Sequence, residues 1–364
     1  WYNVDNPTLI TKYYDRETGR LKTVASVYAK ASITDWLSVK TNFGLDFMYN
    51  RNVSTLHRDH PNAQQNHGYY GQTSSELFRY TWTNTINVNK DFANGHSLNA
   101  VAGMEMFQGK WYTSNFTGYD LNSDMMQSPA GIGDKSGSSL FPPSIGGGRT
   151  MSNLMSFFAQ ASYSIANKYN FSASLRHDTS SKFYEDNASA TFWSVGASWL
   201  ISTESWFDNA KWLNQLKLRA SYGTTGNQDG VSDFGTFDGY YNSSYNGESG
   251  YSHGQLGNSE LRWETSAQTN VGLDVSVLDS RVNVTFDFYN IKTKDLYMSK
   301  NISMTSGFSS ILANAGSIVN HHARQDAELP VGSRVQLHLQ QERDYRSGYL
   351  VEQGGALQKR QHAL

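Results

Sequence analysis

The sequence predicts an all-β protein, an antiparallel transmembrane β-barrel that is incomplete in this chain. Three patterns predict it: long segments that alternate apolar and polar residues, connections that alternate between short and long, and aromatic residues beside the short connections. Residues 37–49, LSVKTNFGLDFMY, show the first pattern, because every second residue from Leu37 to Tyr49 is apolar or small. Such alternation is typical of a strand with one apolar face.

The composition limits the class of protein. The 364 residues are 38% hydrophobic and 13% aromatic, with a mean hydropathy of −0.57 and a net charge of −2, which suggests no nucleic-acid partner. The absence of cysteine excludes a disulfide scaffold and thiolate metal sites. No run approaches the ~18 apolar residues of a membrane helix. Neither a Met nor a signal peptide precedes Trp1, so the chain is expected to be a fragment.

Ten segments are predicted to be strands by their period-two alternation. They are residues 21–33, 36–50, 75–90, 96–112, 151–166, 169–177, 189–202, 213–225, 259–277 and 281–298. Soluble strands cluster near ~5 to 6 residues, whereas a tilted membrane-spanning strand needs ~9 to 11, so the lengths favour a membrane. The alternative all-β class is a soluble adhesin or solenoid, whose long loops would carry the same aromatics.

The connections alternate strictly between short and long. The short ones are residues 34–35, 93–95, 166–168, the modest stretch 203–212 and 278–280, and the long ones are 51–74, 113–150, 178–188 and 226–258. A soluble sandwich has no reason to place every long loop at one end. Outer-membrane barrels do so, with tight turns on the periplasmic side and long loops outside.

The two faces of each predicted strand differ in polarity. In 213–225, Leu216 and Leu218 share the apolar face, whereas Lys217 and Arg219 share the polar one; in 259–277 the predicted apolar face includes Leu261 and Trp263. Alternation alone does not decide which face meets water. The aromatic residues do, because they lie beside the short turns, where a periplasmic aromatic girdle belongs. They are Trp36, Tyr169, Trp206 and Trp212. The apolar faces are therefore predicted to contact lipid, and strand pairing satisfies the backbone there.

Three stretches of sequence carry a family resemblance. They are SFFAQASYSIANKYNFSASLRHDTSSKF at 156–183, LKLRASYGTTGNQ at 216–228, and LRWETSAQTNVGLD at 261–274 followed by FYNIKTKDLY at 288–297. Over residues 21–320 the chain resembles the SusC/RagA-type TonB-linked outer-membrane receptors. The resemblance implies a 22-stranded barrel with an N-terminal plug. This chain would supply about ten of those strands as residues 1–320, without the plug or the TonB box.

The resemblance also implies a function. Members of this family import bulky nutrients, typically oligosaccharides and sometimes peptides, with a SusD-like surface lipoprotein as a lid and TonB supplying force through the plug. A siderophore or another metal chelate is the alternative cargo. No enzyme motif is present, so the protein is not expected to be an enzyme or to hold a cofactor. Asp229, Asp233 and Asp238 share one loop but lack the spacing of a calcium-binding EF-hand.

Two sets of side chains are candidate site residues. Sugar rings stack on aromatic faces, so exposed loop tyrosines are candidate ligand contacts. These are Tyr69, Tyr70, Tyr240, Tyr241, Tyr245 and Tyr251, which could instead pack on neighbouring loops or on the lid lipoprotein. Alternation predicts a second, lumen-facing set, for which a structural ion-pair lattice against the plug is preferred to substrate contact. That set is Arg176, Asp178, Lys182, Arg219, Glu264 and Asp274.

The chain changes character after Asn320. Residues 321–364 are rich in Gln, Arg and His, contain only two aromatic residues and lack period-two alternation. The family resemblance implies a strand beginning Asn-x-Gly-x-Glu here, which NHHARQDAE does not supply. The tail is therefore predicted not to continue the barrel, and the simplest explanation is a shifted reading frame near codon 320. The pair His321–His322 lacks the spaced partners of a metal site.

Overall fold

The structure is a computed structural model, and it describes residues 12–63, 65–123, 128–133, 142–207 and 212–328, the last seven by their backbone alone. Within these ranges the chain forms thirteen strands. Their bounds are β1 Tyr14–Ser32, β2 Leu37–Leu56, β3 Tyr69–Phe92, β4 His96–Tyr119, β5 Ser144–Ile165, β6 Tyr169–Ser180, β7 Ser189–Leu200, β8 Leu213–Asn227, β9 Gly239–Tyr245, β10 Glu248–Gln255, β11 Glu264–Val277, β12 Val282–Asn301 and β13 Ser310–Glu328.

Eleven strands form one sheet whose spatial order follows the chain: β1 to β8, then β11, β12 and β13. The pairs from β5 to β8, and from β8 through β11 and β12 to β13, are antiparallel. The hairpin β9–β10 is a separate two-stranded sheet inserted between β8 and β11. Connections that are alternately short and long join each strand to its neighbour in the sheet, which is the pattern of a meander. The all-β antiparallel fold predicted from the sequence is confirmed.

The chain divides into two compact units. The first contains the described residues of Trp1–Tyr28, Asn42–Trp82 and Met106–Asn153, and the second contains those of Ala29–Thr41, Thr83–Glu105 and Leu154–Leu364. The ion-pair clusters and the hairpin β9–β10 described below lie in the second unit, whereas Tyr69 and Tyr70 lie in the first. Each helical segment assigned between β1 and β13 in the described residues is a three-residue 3-10 turn. None of the helices described could span a membrane.

The register places polar and apolar side chains on opposite faces of the sheet. On β6 and β7, every second residue from Phe171 to His177 and from Ser189 to Ala197 is exposed. Leu175 pairs with Trp193, and both are exposed, by 53% and 43%. We call this side the apolar face and the opposite side, which carries Arg176, the polar face. Large apolar side chains that are exposed in such a regular array require an apolar environment.

Aromatic residues gather at the short-turn end of β6, β7 and β8. The rings of Tyr169 and Trp199 stack with centroids 6.2 Å apart, and Trp206 lies 6.4 Å from Trp199. Trp206 and Trp212 are exposed. Glu204 accepts hydrogen bonds from Tyr169 (2.5 Å) and Trp199 (3.1 Å) and joins two strand ends. This arrangement fits the predicted aromatic girdle.

All ten predicted strands are present, and the structure contains three further strands. The predicted loop 226–258 contains β9 and β10, whose turn has positive φ at Asn246 (50°) and Gly247 (84°), as a two-residue hairpin turn requires. The third is β13, which pairs with β12 as far as Glu328, beyond the predicted boundary at Asn320. The predicted tail otherwise falls on residues 329–364, which lie outside the described residues.

Candidate functional site: the polar face and the exposed hairpin

A small hydrophobic cluster lies where the long connections cover the ends of the strands. It consists of Phe183, Phe192, Val231, Leu261 and Trp263. The ring of Trp263 lies 5.3 Å from that of Phe183 and 5.7 Å from that of Phe192, and its Nε1–H donates to the carbonyl of Ala188 at 3.1 Å. We call this cluster, with the connections that form it, the loop layer.

The loop layer corrects one sequence prediction. Alternation predicts that Leu261 and Trp263 lie on the apolar face of a strand beginning at residue 259, but β11 begins only at Glu264. Leu261 is fully buried and Trp263 is 7% exposed. The alternation of residues 261 to 275 is continuous in the sequence, but the chain leaves the sheet before Glu264, so the two side chains turn into protein instead of lipid.

Polar contacts attach the loop layer to β6. The Nζ of Lys182 donates to the carbonyl of Val231 at 2.9 Å and lies 3.9 Å from Asp233. Ser180 donates to the side chain of Gln228. These bonds hold residues 228–233 against the end of β6. Lys182 therefore acts in the structure as an anchor for the loop.

Arg219 forms the centre of one ion-pair cluster on the polar face. Its guanidinium donates two hydrogen bonds to Asp274, at 2.8 and 2.9 Å, and a third to Asp287 at 3.0 Å. Gly272 lies directly opposite Arg219 on β11. A Cβ at Gly272 would lie 2.5 Å from the Asp287 carboxylate and 2.7 Å from the guanidinium. Glycine at this position therefore lets Arg219 reach both carboxylates.

Arg176 forms the centre of the second cluster. Its Nε donates to Asp178 at 2.7 Å, and one terminal nitrogen donates to Glu105 at 3.1 Å and to Ser156 at 2.7 Å. Asp178 and Ser156 are buried. Charge-assisted bonds of this kind compensate for partial desolvation. Both clusters contain two carboxylates for one arginine.

Five of the six predicted lumen charges lie on one face of the sheet. Register places Arg176 and Asp178 on the same face as Arg219, Glu264 and Asp274. Lys182 lies beyond the end of β6, in the loop contact above. Glu264 accepts a long bond of 3.4 Å from Asn227. Arg176 pairs with Asp178, and Arg219 pairs with Asp274. Their further partners Glu105, Ser156 and Asp287 could not be predicted, because the cross-strand register is not visible in the sequence.

The hairpin β9–β10 carries four of the six candidate tyrosines. Tyr240, Tyr241, Tyr245 and Tyr251 are exposed by 66, 57, 89 and 80%. Register places Tyr240 and Tyr251 on one face of the hairpin and Tyr241 and Tyr245 on the other. The predicted exposure of these residues is confirmed, although they belong to strands and not to an irregular loop.

The base of the hairpin is fixed by His253. Its ring stacks on Tyr240, with centroids 4.9 Å apart, and meets the edge of Phe308 at 4.8 Å. Its Nε2 lies 3.4 Å from Asp238. The backbone N–H of Gly257, followed by His253, holds the pKa of Asp238 below its usual value. These contacts connect the hairpin to the turn that precedes β13.

The predicted exposure is wrong for the other two candidate tyrosines. Tyr69 and Tyr70 open β3 instead of lying in a loop. Tyr70 is 1% exposed, lies 6.0 Å from the ring of Phe116 and donates to Gln72. Tyr69 donates to the hydroxyl of Tyr14 at 3.2 Å. The strand extends further into the predicted loop than the alternation indicated, so both rings pack within the protein.

Two of the three loop aspartates have separate partners. Asp233 faces Lys182, and Asp238 accepts from Gly257 at 2.8 Å. In the part of the chain that the structure describes, no group of three or more histidine or carboxylate side chains could hold a metal ion.

Comparison with known proteins identifies the family. Residues 1–321 match the family model described as "TonB dependent receptor-like, beta-barrel". The chain is 30% identical over 323 residues to TonB-dependent receptor P39 of Formosa agariphila, covering 88% of this chain and 30% of that protein. It is 34% identical over 180 residues to TonB-dependent receptor SusC of Bacteroides thetaiotaomicron, covering 47% and 18%. The chain thus spans about a third or less of these relatives.

Solved structures share the fold. The RagAB peptide transporter superposes with a TM-score of 0.80 at 24% identity, covering 90% of this chain and 36% of that one. The siderophore receptor PiuA from Acinetobacter baumannii gives a TM-score of 0.52 at 11% identity, with coverages of 86% and 45%. The family consists of outer-membrane receptors and not enzymes, which confirms the predicted location. The chain belongs to the TonB-dependent receptor family, as part of its outer-membrane β-barrel.

Proposed function

We propose that the full-length protein imports an oligosaccharide across the outer membrane, with energy supplied through TonB. In this proposal the strands form part of the barrel wall, and the long connections face outward, where ligand first binds. Family membership supports the receptor role. The ion-pair clusters of Arg176 and Arg219 would line the water-filled side of the wall, where they would contact a plug.

The exposed hairpin is the observation that carries the choice of a glycan. Sugar rings present C–H faces that stack on aromatic rings, while amide and hydroxyl groups bond to their oxygens. Tyr240 and Tyr251 share one hairpin face with Asn242, which lies opposite Tyr251. Because His253 and Phe308 hold the base of the hairpin, this aromatic face is partly organised before ligand arrives, which reduces the entropy lost on binding.

A SusD-like surface lipoprotein is the proposed partner. Apolar side chains are exposed in the connections on the same side as the hairpin: Phe234 by 50%, Phe237 by 47% and Met304 by 74%. Aromatic and Met side chains are enriched in protein interfaces. Co-purification of such a lipoprotein with the tagged full-length receptor, reduced by Phe234→Ser together with Phe237→Ser, would support this part of the proposal. Equal recovery with both forms would contradict it.

Peptides and metal chelates are the alternative cargoes. A structural neighbour is named as a peptide transporter and another as a siderophore receptor, but these likenesses establish the fold alone. The described residues contain no cluster suited to a metal ion, and a chelate brings its own ligands. Both classes therefore belong in the binding assay as competing ligands.

The test is a binding assay on the purified full-length receptor. A panel of defined oligosaccharides, mixed peptides and ferric siderophores is measured by calorimetry. We expect an oligosaccharide to bind, and we expect Tyr251→Ala to weaken its binding about twofold to tenfold, since one aromatic contact contributes ~0.5–1.5 kcal/mol. Tyr245→Ala tests the opposite face of the hairpin in the same way.

The matched control is Tyr222→Ala. Tyr222 lies on the apolar face, beside Trp193 at 5.3 Å, where a soluble sugar has no access. Oligosaccharide affinity should be unchanged in this variant. Binding of peptides or chelates alone, with no oligosaccharide bound, contradicts the proposed cargo. Equal affinity in Tyr251→Ala, Tyr245→Ala and Tyr222→Ala excludes the hairpin from the site.

A further inference from the structure

A groove of about 390 Å³ crosses β3, β4, β5 and β6. Its floor is formed by five alanines on neighbouring strands, and its rims by larger side chains that include Ile86 and Leu175. The alanines are Ala100, Ala102, Ala159, Ala161 and Ala173. Ala159 pairs with Leu175 and Ala161 with Ala173, so the groove opens on the apolar face. The small alanine side chains between larger ones leave a depression in this face.

A lysine extends the strand that forms one rim. Lys90 follows Val88, a lining residue, by two positions, so it lies on the same face about 7 Å along the strand. Its ammonium group lies 5.0 Å from the ring centroid of Trp36 and 5.3 Å from that of Phe92. The N–H of Asn89 donates to the carbonyl of Trp36 at 2.8 Å, which holds this aromatic pair at the short-turn end.

The position of Lys90 corresponds to the membrane interface. Aromatic rings concentrate at the level of the lipid head groups, and lysine side chains near the ends of spanning segments reach into that layer. Among the described residues, no carboxylate lies within 4.0 Å of the Lys90 ammonium group. The charge is therefore available to an anionic group from the membrane.

We propose that this surface binds one glycerophospholipid, with an acyl chain in the alanine groove and its phosphate at Lys90. The outer membrane supplies the ligand. The apolar groove is followed by a cation, just as the acyl chain of a phospholipid is followed by its anionic head group. Contact with the floor and both rims gives an acyl chain more close neighbours than a flat wall would. The proposal is independent of the imported cargo.

The test uses the full-length receptor, purified in detergent and titrated with 1-palmitoyl-2-oleoyl-phosphatidylglycerol, with retained lipid counted by native mass spectrometry. Wild type should retain one lipid. Ala161→Phe fills the groove and should weaken retention about tenfold. Lys90→Gln should weaken it about fivefold, but should leave the weaker binding of the matching diacylglycerol unchanged, because that lipid has no phosphate.

Two controls separate the groove from the rest of the wall. Ala220→Phe adds the same ring elsewhere on the apolar face, and Lys168→Gln removes a lysine near the short turns that already faces Glu204 at 3.5 Å. Both should retain lipid as wild type does. Equal retention in all variants overturns the proposal. The proposal is also overturned if the wild-type receptor forms a dimer and Ala161→Phe dissociates that dimer. If Ala161→Phe fails to assemble, the contrast between Lys90→Gln and Lys168→Gln decides.

Discussion

The barrel wall and the loop layer place the same types of side chain in opposite environments. In the wall, apolar residues such as Leu175 and Leu218 are exposed on one face, and charged residues pair on the other. In the loop layer, Leu261 and Trp263 are buried against protein. The wall depends on lipid to cover its apolar surface, whereas the loop layer has a small core of its own.

The difference shows where a period-two pattern is informative. Along a paired strand, alternation assigns each side chain to a face, because successive residues point to opposite sides. Beyond the last paired residue, the same alternation of residue types does not show which way a side chain faces. Substitutions in the two regions should therefore affect different observables: local opening of the connections for the loop layer, and unfolding of the barrel for the wall.

The largest expected effect comes from Trp263→Ala in the loop layer. Removing this nearly buried ring leaves a cavity between Phe183 and Phe192 and takes away one of the two hydrogen bonds that the Ala188 carbonyl accepts, so we expect a loss of about 3–5 kcal/mol in the local free energy of opening. Hydrogen exchange of the backbone amides from Ser180 to Ala188, in the full-length receptor, measures it.

Trp193→Ala is the matched control for that prediction. Trp193 is 43% exposed on the apolar face and contacts Tyr222. Its loss should cost about 1 kcal/mol and leave exchange between Ser180 and Ala188 unchanged. Faster exchange there in both variants, by the same factor, would mean that the loop layer has no separate stability.

The next effect is expected from Arg219→Met on the polar face. The change leaves Asp274 and Asp287 without their cation, and we expect a loss of about 1–2 kcal/mol, reduced by the partial exposure of the cluster. Urea titration of the full-length receptor folded in bilayers measures it. Lys217→Met is the control, since Lys217 makes no ion pair with the described residues and should change stability little. Equal losses would contradict the role of the cluster.

The smallest effect concerns Glu204 in the turn between β7 and β8. The hydroxyl of Tyr169 and the indole of Trp199 hold the pKa of Glu204 below its usual value. The resulting stabilisation is present above the unfolded pKa, about 4.3, and is lost as pH falls through the folded pKa. Glu204→Gln should therefore show a smaller loss of stability than wild type on acidification below about pH 4. Identical acid profiles would contradict this assignment.

Much of the wall could be predicted from the sequence, but the loop layer could not. The strands of the wall repeat one alternating pattern, and each of the ten segments predicted from it corresponds to a strand. The hairpin β9–β10 had a signal, Asn246–Gly247 between tyrosine-rich segments, that a search for turn residues would have found. The partners of Arg176 and Arg219 depend on register, and the burial of Tyr70 and Trp263 depends on where pairing ends; neither is encoded in local alternation.

The shifted reading frame near codon 320 remains a prediction. Backbone pairing of β13 with β12 continues to Glu328, and the family model matches as far as residue 321. If the frame is shifted, one of the other two forward frames of the genomic DNA should encode an alternating strand with an Asn-x-Gly-x-Glu-like start. If neither does, the tail is native.

The central claim is that the apolar face of the sheet contacts lipid and the polar face contacts water. The chain contains no cysteine, so single cysteines can be introduced at positions 216 to 223 of β8 in a cysteine-free full-length receptor and spin-labelled in bilayers. Oxygen, which partitions into lipid, should collide most with labels at 216, 218, 220 and 222, and a water-soluble nickel chelate with those at 217, 219, 221 and 223. The reverse pattern, or no period of two, would contradict the account.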